Sequence, residues 1–245
     1  MKKLFLFLIL LSFTLLSCEE STDDTAVKLN HLTEARKLVE NILPENNEYS
    51  LTDTYVTWAG SDGAVIYSNK SSCSSFVTHL LMHSYGITAG TFVEYFGEDF
   101  PEAEDYYDRI ADESVFMKID NISLVEEGDF IAVKYLETDR TNTGHMMLVN
   151  SEPVQRDASS PLIGGTIQWE IEIIDVSTSG HGPDDTRLKS DGSWNSGAGR
   201  GVLRAYTDTE GAFAGYSWST YSGSEFQNYS EHPFLAGRVK DEFIE

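Results

Sequence analysis

Basic residues are scarce in this sequence. Its 245 residues include 17 Lys and Arg against 40 Asp and Glu, which gives a formal net charge of −23 at pH 7. A chain with this balance does not bind nucleic acid by neutralising phosphates, and it avoids anionic lipid headgroups. Long apolar runs are also scarce, because no segment beyond residue 17 is apolar enough to span a membrane. Residues 26–245 are long enough to bury the core of a single domain.

The one apolar run lies at the beginning of the chain. Two lysines follow Met1, and an apolar stretch then extends from Leu4 to Leu16. This stretch is too short for a stable membrane-spanning helix but is typical of a signal peptide. The stretch is followed directly by Ser17 and Cys18, and this junction resembles the lipobox of bacterial lipoproteins.

The lipobox resemblance implies that residues 1–17 are a signal peptide and that Cys18 receives a diacylglycerol anchor. Residues 18–25 are then an acidic tether, and loss of two lysines lowers the formal charge to −25. We therefore expect a lipoprotein of the cell envelope, attached to the outer membrane and facing the periplasm or the cell surface. The alternative is an ordinary secretory signal in which Cys18 occurs by chance.

Cysteine is the rarest reactive residue, and its count is informative. If Cys18 carries lipid, Cys73 is the remaining thiol and has no partner for an intramolecular disulfide. Cys73 stands between Ser72 and Ser74, where a loop rich in Gly and Ser enters a predicted helix. Free backbone N–H groups and the helix dipole at that end favour the nucleophilic thiolate. The alternative is a small buried residue at a well-capped helix start.

A thiolate nucleophile needs a base, and His145 is the best-placed histidine. It opens an apolar strand directly after Gly144, so a rigid backbone would present its ring to a cleft. Asp175 lies in the next apolar strand, within an otherwise buried run, and a buried acid there could orient the imidazole. Cys73, His145 and Asp175 therefore form a candidate triad. The alternative for Asp175 is a turn-forming residue at a strand end.

The other histidines are assigned to structural roles. His79 and His83 have the i, i+4 spacing of metal ligands, but no third ligand is evident, so we expect them to pack on the helix surface. His31 and His232 lie in segments predicted to be on the surface. No metal or cofactor is expected.

Hydrophobic periodicity predicts helices in the first half of the chain and strands in the second, which is an α+β fold with N-terminal helices packed on an antiparallel sheet. Residues 51–71 are expected to form a loop with at most one short strand. The predicted helices cover 26–43, 73–84 and 91–112, the last broken at 97–101, and the predicted strands cover 129–136, 144–150, 167–176, 201–206, 213–219 and 236–240.

Four motifs in this order resemble the NlpC-like cysteine peptidases of bacterial cell-wall turnover. The segments that carry the resemblance are Ser72-Cys73-Ser74-Ser75-Phe76-Val77, Glu127-Gly128-Asp129-Phe130, Gly144-His145-Met146-Met147 and Asp175-Val176-Ser177-Thr178-Ser179-Gly180. The resemblance spans about residues 52–180. It implies a papain-like fold, catalysis by Cys73 and His145 with Asp175 as third residue, a substrate-side role for Tyr55, and peptidoglycan peptides as substrates.

The chain departs from the family pattern beside each motif. Ser72 replaces an Asp, Ser75 and Met147 replace glycines, and Asp175 replaces the common third His. The first three changes alter the cleft, so the substrate of the family does not transfer directly.

Polar residues after the last motif suggest a cleft rim. We assign His181 and Arg187 to substrate binding there, together with Ser72 beside the nucleophile. His181 is also the rival of Asp175 for the third catalytic position. The glycines at 197–201 are interpreted as a flexible turn.

The sequence thus predicts a lipid-anchored cysteine hydrolase that cleaves amide bonds in envelope material. Two alternatives remain: a catalytically silent binding module on the same fold, and a Cys-dependent acyltransferase.

The lipid anchor gives the first test. Cys18→Ser should abolish incorporation of radiolabelled palmitate and move the protein from the membrane fraction to the soluble fraction, because the thioether-linked lipid cannot form. Cys73→Ser is the matched control and should keep both properties. Unchanged labelling of Cys18→Ser would contradict the assignment.

Overall fold

The computed structural model describes the backbone of residues 25–137 and 142–245, and the side chains of these ranges from residue 30 onward. The predicted signal peptide, Cys18 and all but the last residue of the predicted tether lie outside the described residues. The helices are α1 (Thr25–Asn41), α2 (Cys73–Tyr85), α3 (Ala89–Phe96), α4 (Ala103–Ala111) and α5 (Asp241–Ile244).

The strands alternate with these helices early and dominate later. They are β1 (Asn47–Tyr49), β2 (Tyr55–Thr57), β3 (Ser68–Ser71), β4 (Phe116–Ile119), β5 (Phe130–Lys134), β6 (Gly144–Val149), β7 (Val154–Gln155), β8 (Ile167–Ser177), β9 (Gly197–Thr207), β10 (Phe213–Ser217), β11 (Gln227–Asn228) and β12 (Phe234–Val239).

Nine strands form one antiparallel sheet. Its order is β11-β10-β9-β8-β6-β5-β12-β4, and β7 pairs with an end of β8. The longest pairing joins β8 to β9, from Ile167 opposite Thr207 to Ser177 opposite Gly197. These two strands therefore give the sheet a rigid central ribbon.

The two faces of this sheet have different coverings. In β6, Met146 and Leu148 face the core that the helices cover, whereas Met147 and Val149 face a second apolar cluster on the other side. The alternation follows from the two-residue period of a strand. His145, the second residue of β6, shares the parity of Met147. None of the helices in the described part of the chain combines the length and apolar character that crossing a bilayer requires.

A small second sheet lies just before the helix that begins at Cys73. Its order is β1-β3-β2, with β1 parallel and β2 antiparallel to β3. Asn47 ties it to the large sheet: its Nδ2 donates to the carbonyl of Ala198 at 2.8 Å, and its Oδ1 accepts from the N–H of Ala198 at 2.7 Å. This pair of bonds fixes the start of α2 relative to β9.

The α+β prediction is confirmed, as are helices at three predicted places and the break between α3 and α4. The expectation of a loop with at most one strand over residues 51–71 is wrong, because two strands of the small sheet lie there. These strands have only three and four residues, and the four of β3 are all polar, so neither strand shows the extended apolar alternation that marks a strand.

The structure also shows the surroundings of two histidines and of Asp175. His31 is fully buried, where it stacks on Phe130 at 5.1 Å between ring centroids, so its surface assignment is wrong. Asp175 lies inside β8 and is fully buried, which rules out a turn at a strand end. His83 stacks on Trp58 at 4.0 Å, in keeping with its packing role.

Gly237 in β12 gives a test of the packing between α4 and the sheet. A Cβ at Gly237 would lie 2.7 Å from Cγ1 of Ile110 in α4. Gly237→Ala should therefore lower the free energy of unfolding by about 1–3 kcal/mol through overpacking. Gly164→Ala, where a Cβ meets nothing within 4 Å, should change it by less than about 0.5 kcal/mol. Denaturant titration of both variants measures the difference, and equal stabilities would contradict the packing.

Candidate active site

Two serines set the beginning of α2. Ser72 is the N-cap, and its Oγ accepts from the N–H of Ser75 at 3.2 Å. In return the N–H of Ser72 donates to Oγ of Ser75 at 2.8 Å, which completes a capping box. This box makes Cys73 the first helical residue. The two substitutions that departed from the family pattern thus have a local structural role.

Cys73 borders a cleft of about 410 Å³. The residue is only 6% exposed, so the thiol meets solvent only through this cleft. The first N–H groups of a helix have no acceptor within the helix and point outward from its end. A carbonyl that entered the cleft would therefore meet the thiol and backbone donors together.

His145 and Asp175 are brought together by the pairing of β6 with β8. Met147 lies opposite Asp175 in this pairing, so His145, two residues away, is the diagonal neighbour of Asp175 on the same face. Nε2 of His145 lies 2.6 Å from Oδ2 of Asp175. Since an ionised carboxylate only accepts hydrogen bonds, Nε2 carries a proton and Nδ1 is left for the thiol of Cys73.

The thiol and the imidazole stabilise each other's charged forms. Burial raises the pKa of the Cys73 thiol, but the charge of His145 and hydrogen bonds from His145 and the Met146 N–H outweigh burial and bring it below its usual value. Burial lowers the pKa of His145, but the Cys73 thiolate and Asp175 raise it to about 10. Both shifts favour the pair of thiolate and imidazolium, the form in which cysteine is nucleophilic.

Asp175 also binds two groups that lie behind it. Nε2 of His181 approaches the same Oδ2 at 2.9 Å, and Nη2 of Arg187 donates to Oδ1 at 2.7 Å. Burial raises the pKa of Asp175, but the charges of Arg187 and His181 and the hydrogen bonds of both histidines hold it well below its usual value. Asp175 is therefore a permanent carboxylate at the centre of the site.

Arg187 is held by a second acid, Asp185, and two glycines of β9 leave room for both side chains. Asp185 accepts from Nε of Arg187 at 2.9 Å and from its Nη2 at 2.8 Å. A Cβ at Gly199 would lie 2.5 Å from Nε of Arg187, and one at Gly201 would lie 2.3 Å from Oδ2 of Asp185. The glycines interpreted as a flexible turn are strand residues that leave room for this ion pair.

His145, Asp175 and His181 offer ligand types that bind metal ions, with one ligand atom of each within 4.8 Å of the others. The two Nε2 atoms lie 2.6 and 2.9 Å from the carboxylate oxygen. Ligands of a tetrahedral metal are separated by about 3.3 Å when each lies about 2.0 Å from it. The observed separations are those of hydrogen bonds, and we describe the three groups as a hydrogen-bonded cluster.

Comparison with known proteins finds a relative in a virus. An uncharacterized protein, R653, of Acanthamoeba polyphaga mimivirus is 35% identical over 215 residues, which cover 84% of this chain and 94% of that protein. The chain belongs to the family of this mimivirus protein. No family model matches the chain, and no solved structure matches it.

The structure separates the predicted site residues into two groups. Cys73, His145 and Asp175 meet, and Ser72 lines the cleft beside Cys73 while it caps α2. Tyr55 is 47% exposed and is not part of the lining, although its neighbour Thr54 is.

The assignment of His181 and Arg187 to an exposed rim is wrong. Their side chains are 5% and 2% exposed, and both contact Asp175. The polar composition of their loop reflects an internal ion network, because the loop folds back over β8 and β9. His181 stands behind Asp175 and does not replace it beside His145.

Sequence reasoning missed three residues of the site. Tyr49 lines the cleft, and the charge of Cys73 adds to burial in raising its pKa. Asp185 holds Arg187, and the Trp218 ring stands perpendicular to His145 at 5.3 Å. Tyr49 lies in a short polar strand and Trp218 follows another strand, so neither carries a local signal. Asp185 was one of several acids in a polar loop.

The ion pair predicts the pH dependence of alkylation at Cys73. In the wild type, iodoacetamide labelling should begin at a lower pH than that of an ordinary thiol and should slow as the pH falls through the lowered pKa of Cys73. His145→Ala removes the compensating cation and leaves burial, so the pKa of Cys73 should rise above its usual value. Labelling at pH 7 should then fall at least about tenfold, because one unit of pKa changes the thiolate fraction tenfold.

His79→Ala is the matched control, because His79 lies on the same helix and approaches Thr54, not the thiol. Its labelling curve should follow that of the wild type. Coincident curves for His145→Ala and the wild type would show that His145 does not activate Cys73.

Proposed function

We propose that this protein is a cysteine hydrolase that cleaves amide bonds, with Cys73 as nucleophile, His145 as acid and base, and Asp175 as the group that orients His145. One observation carries the proposal: a thiol at the start of a helix lies beside an imidazole that a buried carboxylate holds in place, and thiol and imidazole each favour the charged form of the other. A merely structural cysteine needs neither partner. The arrangement of a helix-opening Cys with a strand-borne His and acid supports a papain-like fold.

The proposed reaction has two steps. The Cys73 sulfur attacks the carbonyl carbon, the C=O electrons move to oxygen, and backbone N–H groups at the start of α2 stabilise the oxyanion. His145 gives its proton to the leaving nitrogen as the C–N bond breaks, which leaves a thioester. Water then attacks the thioester while His145 takes a proton from it, and the acid leaves as the C–S bond breaks.

The proposed substrate class rests on two resemblances in the sequence. The resemblance to NlpC-like peptidases and the lipobox support peptidoglycan peptides as substrates and the outer membrane of the cell envelope as location. The cleft of about 410 Å³ has the volume of a small-molecule site and would admit a few peptide residues.

Hydrolysis of muropeptides tests the proposal. Purified full-length protein should release a new amine from a muropeptide mixture, and Cys73→Ala should lower this rate by about a thousandfold or more. His79→Gln should retain the wild-type rate. Mass spectrometry of the products with an added amine acceptor distinguishes hydrolysis from acyl transfer, since only transfer yields a new amide.

Two results would contradict the proposal. Full activity of Cys73→Ala would exclude the thiol as nucleophile. A wild-type protein whose Cys73 resists alkylation until it unfolds would favour the binding module.

A further inference from the structure

We propose that His181 is a positioning residue, which as an imidazolium shares Asp175 with His145 and limits how strongly Asp175 retains the proton on His145. The inference rests on the proposed function, since it concerns the proton that His145 must release.

The hydrogen bonds of His181 determine its charge. Its Nδ1 lies 2.7 Å from the carbonyl oxygen of Trp218, and its Nε2 lies 2.9 Å from Oδ2 of Asp175. A carbonyl oxygen and an ionised carboxylate only accept hydrogen bonds. Both ring nitrogens of His181 must therefore donate, and a ring that donates twice is an imidazolium.

When Cys73 is a thiolate, the charges of the buried network balance with this proton. The cationic groups are His145, His181 and Arg187, and the anionic groups are the Cys73 thiolate, Asp175 and Asp185. A neutral His181 would leave one net negative charge in a site whose members are almost entirely buried, which is costly.

His181 is enclosed by groups from each element around it. Asp175 in β8 and His145 in β6 face its ring, and the ring of Trp218, just after β10, lies 5.9 Å away. Its own loop supplies Asp185, whose Oδ2 accepts from the His181 N–H at 2.8 Å, and Arg187. From β9, Gly201 offers the space for its Cβ.

This arrangement bears on the acylation step. When Cys73 becomes a thioester its negative charge is lost, and Asp175 is then the acid that retains the proton on His145. A general acid works best when its pKa lies near the operating pH, so a carboxylate that held the proton too strongly would slow its transfer to the leaving nitrogen. The charge of His181, on the same oxygen, weakens that hold.

Nitrogen NMR of the histidine rings tests the inference without activity. In full-length Cys73→Ala protein, which lacks the thiolate, we expect both ring nitrogens of His181 to have protonated shifts at neutral pH. Adding His181→Gln should raise the titration midpoint of His145 by about one pH unit, because a nearby cation is lost and Gln is neutral. Adding His79→Gln instead is the matched control and should leave the midpoint unchanged.

The outcomes are distinct. A neutral His181 ring in the Cys73→Ala protein would overturn the inference even if the double variant fails to fold. A folded double variant with an unchanged His145 midpoint would also overturn it and leave His181 a merely structural residue. The proposed function fails separately, if Cys73 of the wild type is not activated towards alkylation.

Discussion

The site depends on one buried carboxylate. Asp175 is fully excluded from solvent, and an isolated charge in that position would be prohibitively unfavourable. Three donors make it stable: His145 on the side of the cleft, and His181 and Arg187 behind it. The same bonds fix the ring of His145 against Cys73. The hydrogen bonds that stabilise the buried charge of Asp175 are therefore the same ones that orient His145 towards Cys73.

The backbone around the site brings the partners of Asp175 and Cys73 together. β8 brings Asp175 beside β6, and β9 carries glycines where Arg187 and Asp185 need room. The small sheet fixes the first residue of α2 through the bonds between Asn47 and Ala198. Segments far apart in the chain thus converge on the thiol, and each is held by backbone pairing or by a buried ion pair.

The sequence reveals those parts of the site that carry a local signal. Cys73 opens a helix, His145 opens an apolar strand, and Asp175 is a charge inside an apolar run, so each stands out from its neighbours. Burial of His181 and Arg187 could not be read in this way, because a polar loop over a sheet has the composition of an exposed one. The hydrogen-bond partners of these two side chains depend on how that loop folds.

The prediction of the fold had the same limit. Long amphipathic helices and apolar strands are recognisable in the sequence, whereas the strands of three or four residues before Cys73 are not. Glycine is unusual inside a strand, and the reason for the glycines of β9 is the neighbouring guanidinium. The incorrect expectations therefore concern residues whose identity is explained by contact with a group distant in sequence, and not by the strand or loop in which they lie.

The loop between β8 and β9 has a base and a tip of different character. Its base carries His181, Asp185 and Arg187, all buried, whereas residues 189–193 at its tip are exposed. The tip closes in a turn of its own, from Lys189 to Ser193. A peptide tag or a fluorescent reporter inserted at this tip would therefore leave the buried ions around Asp175 undisturbed.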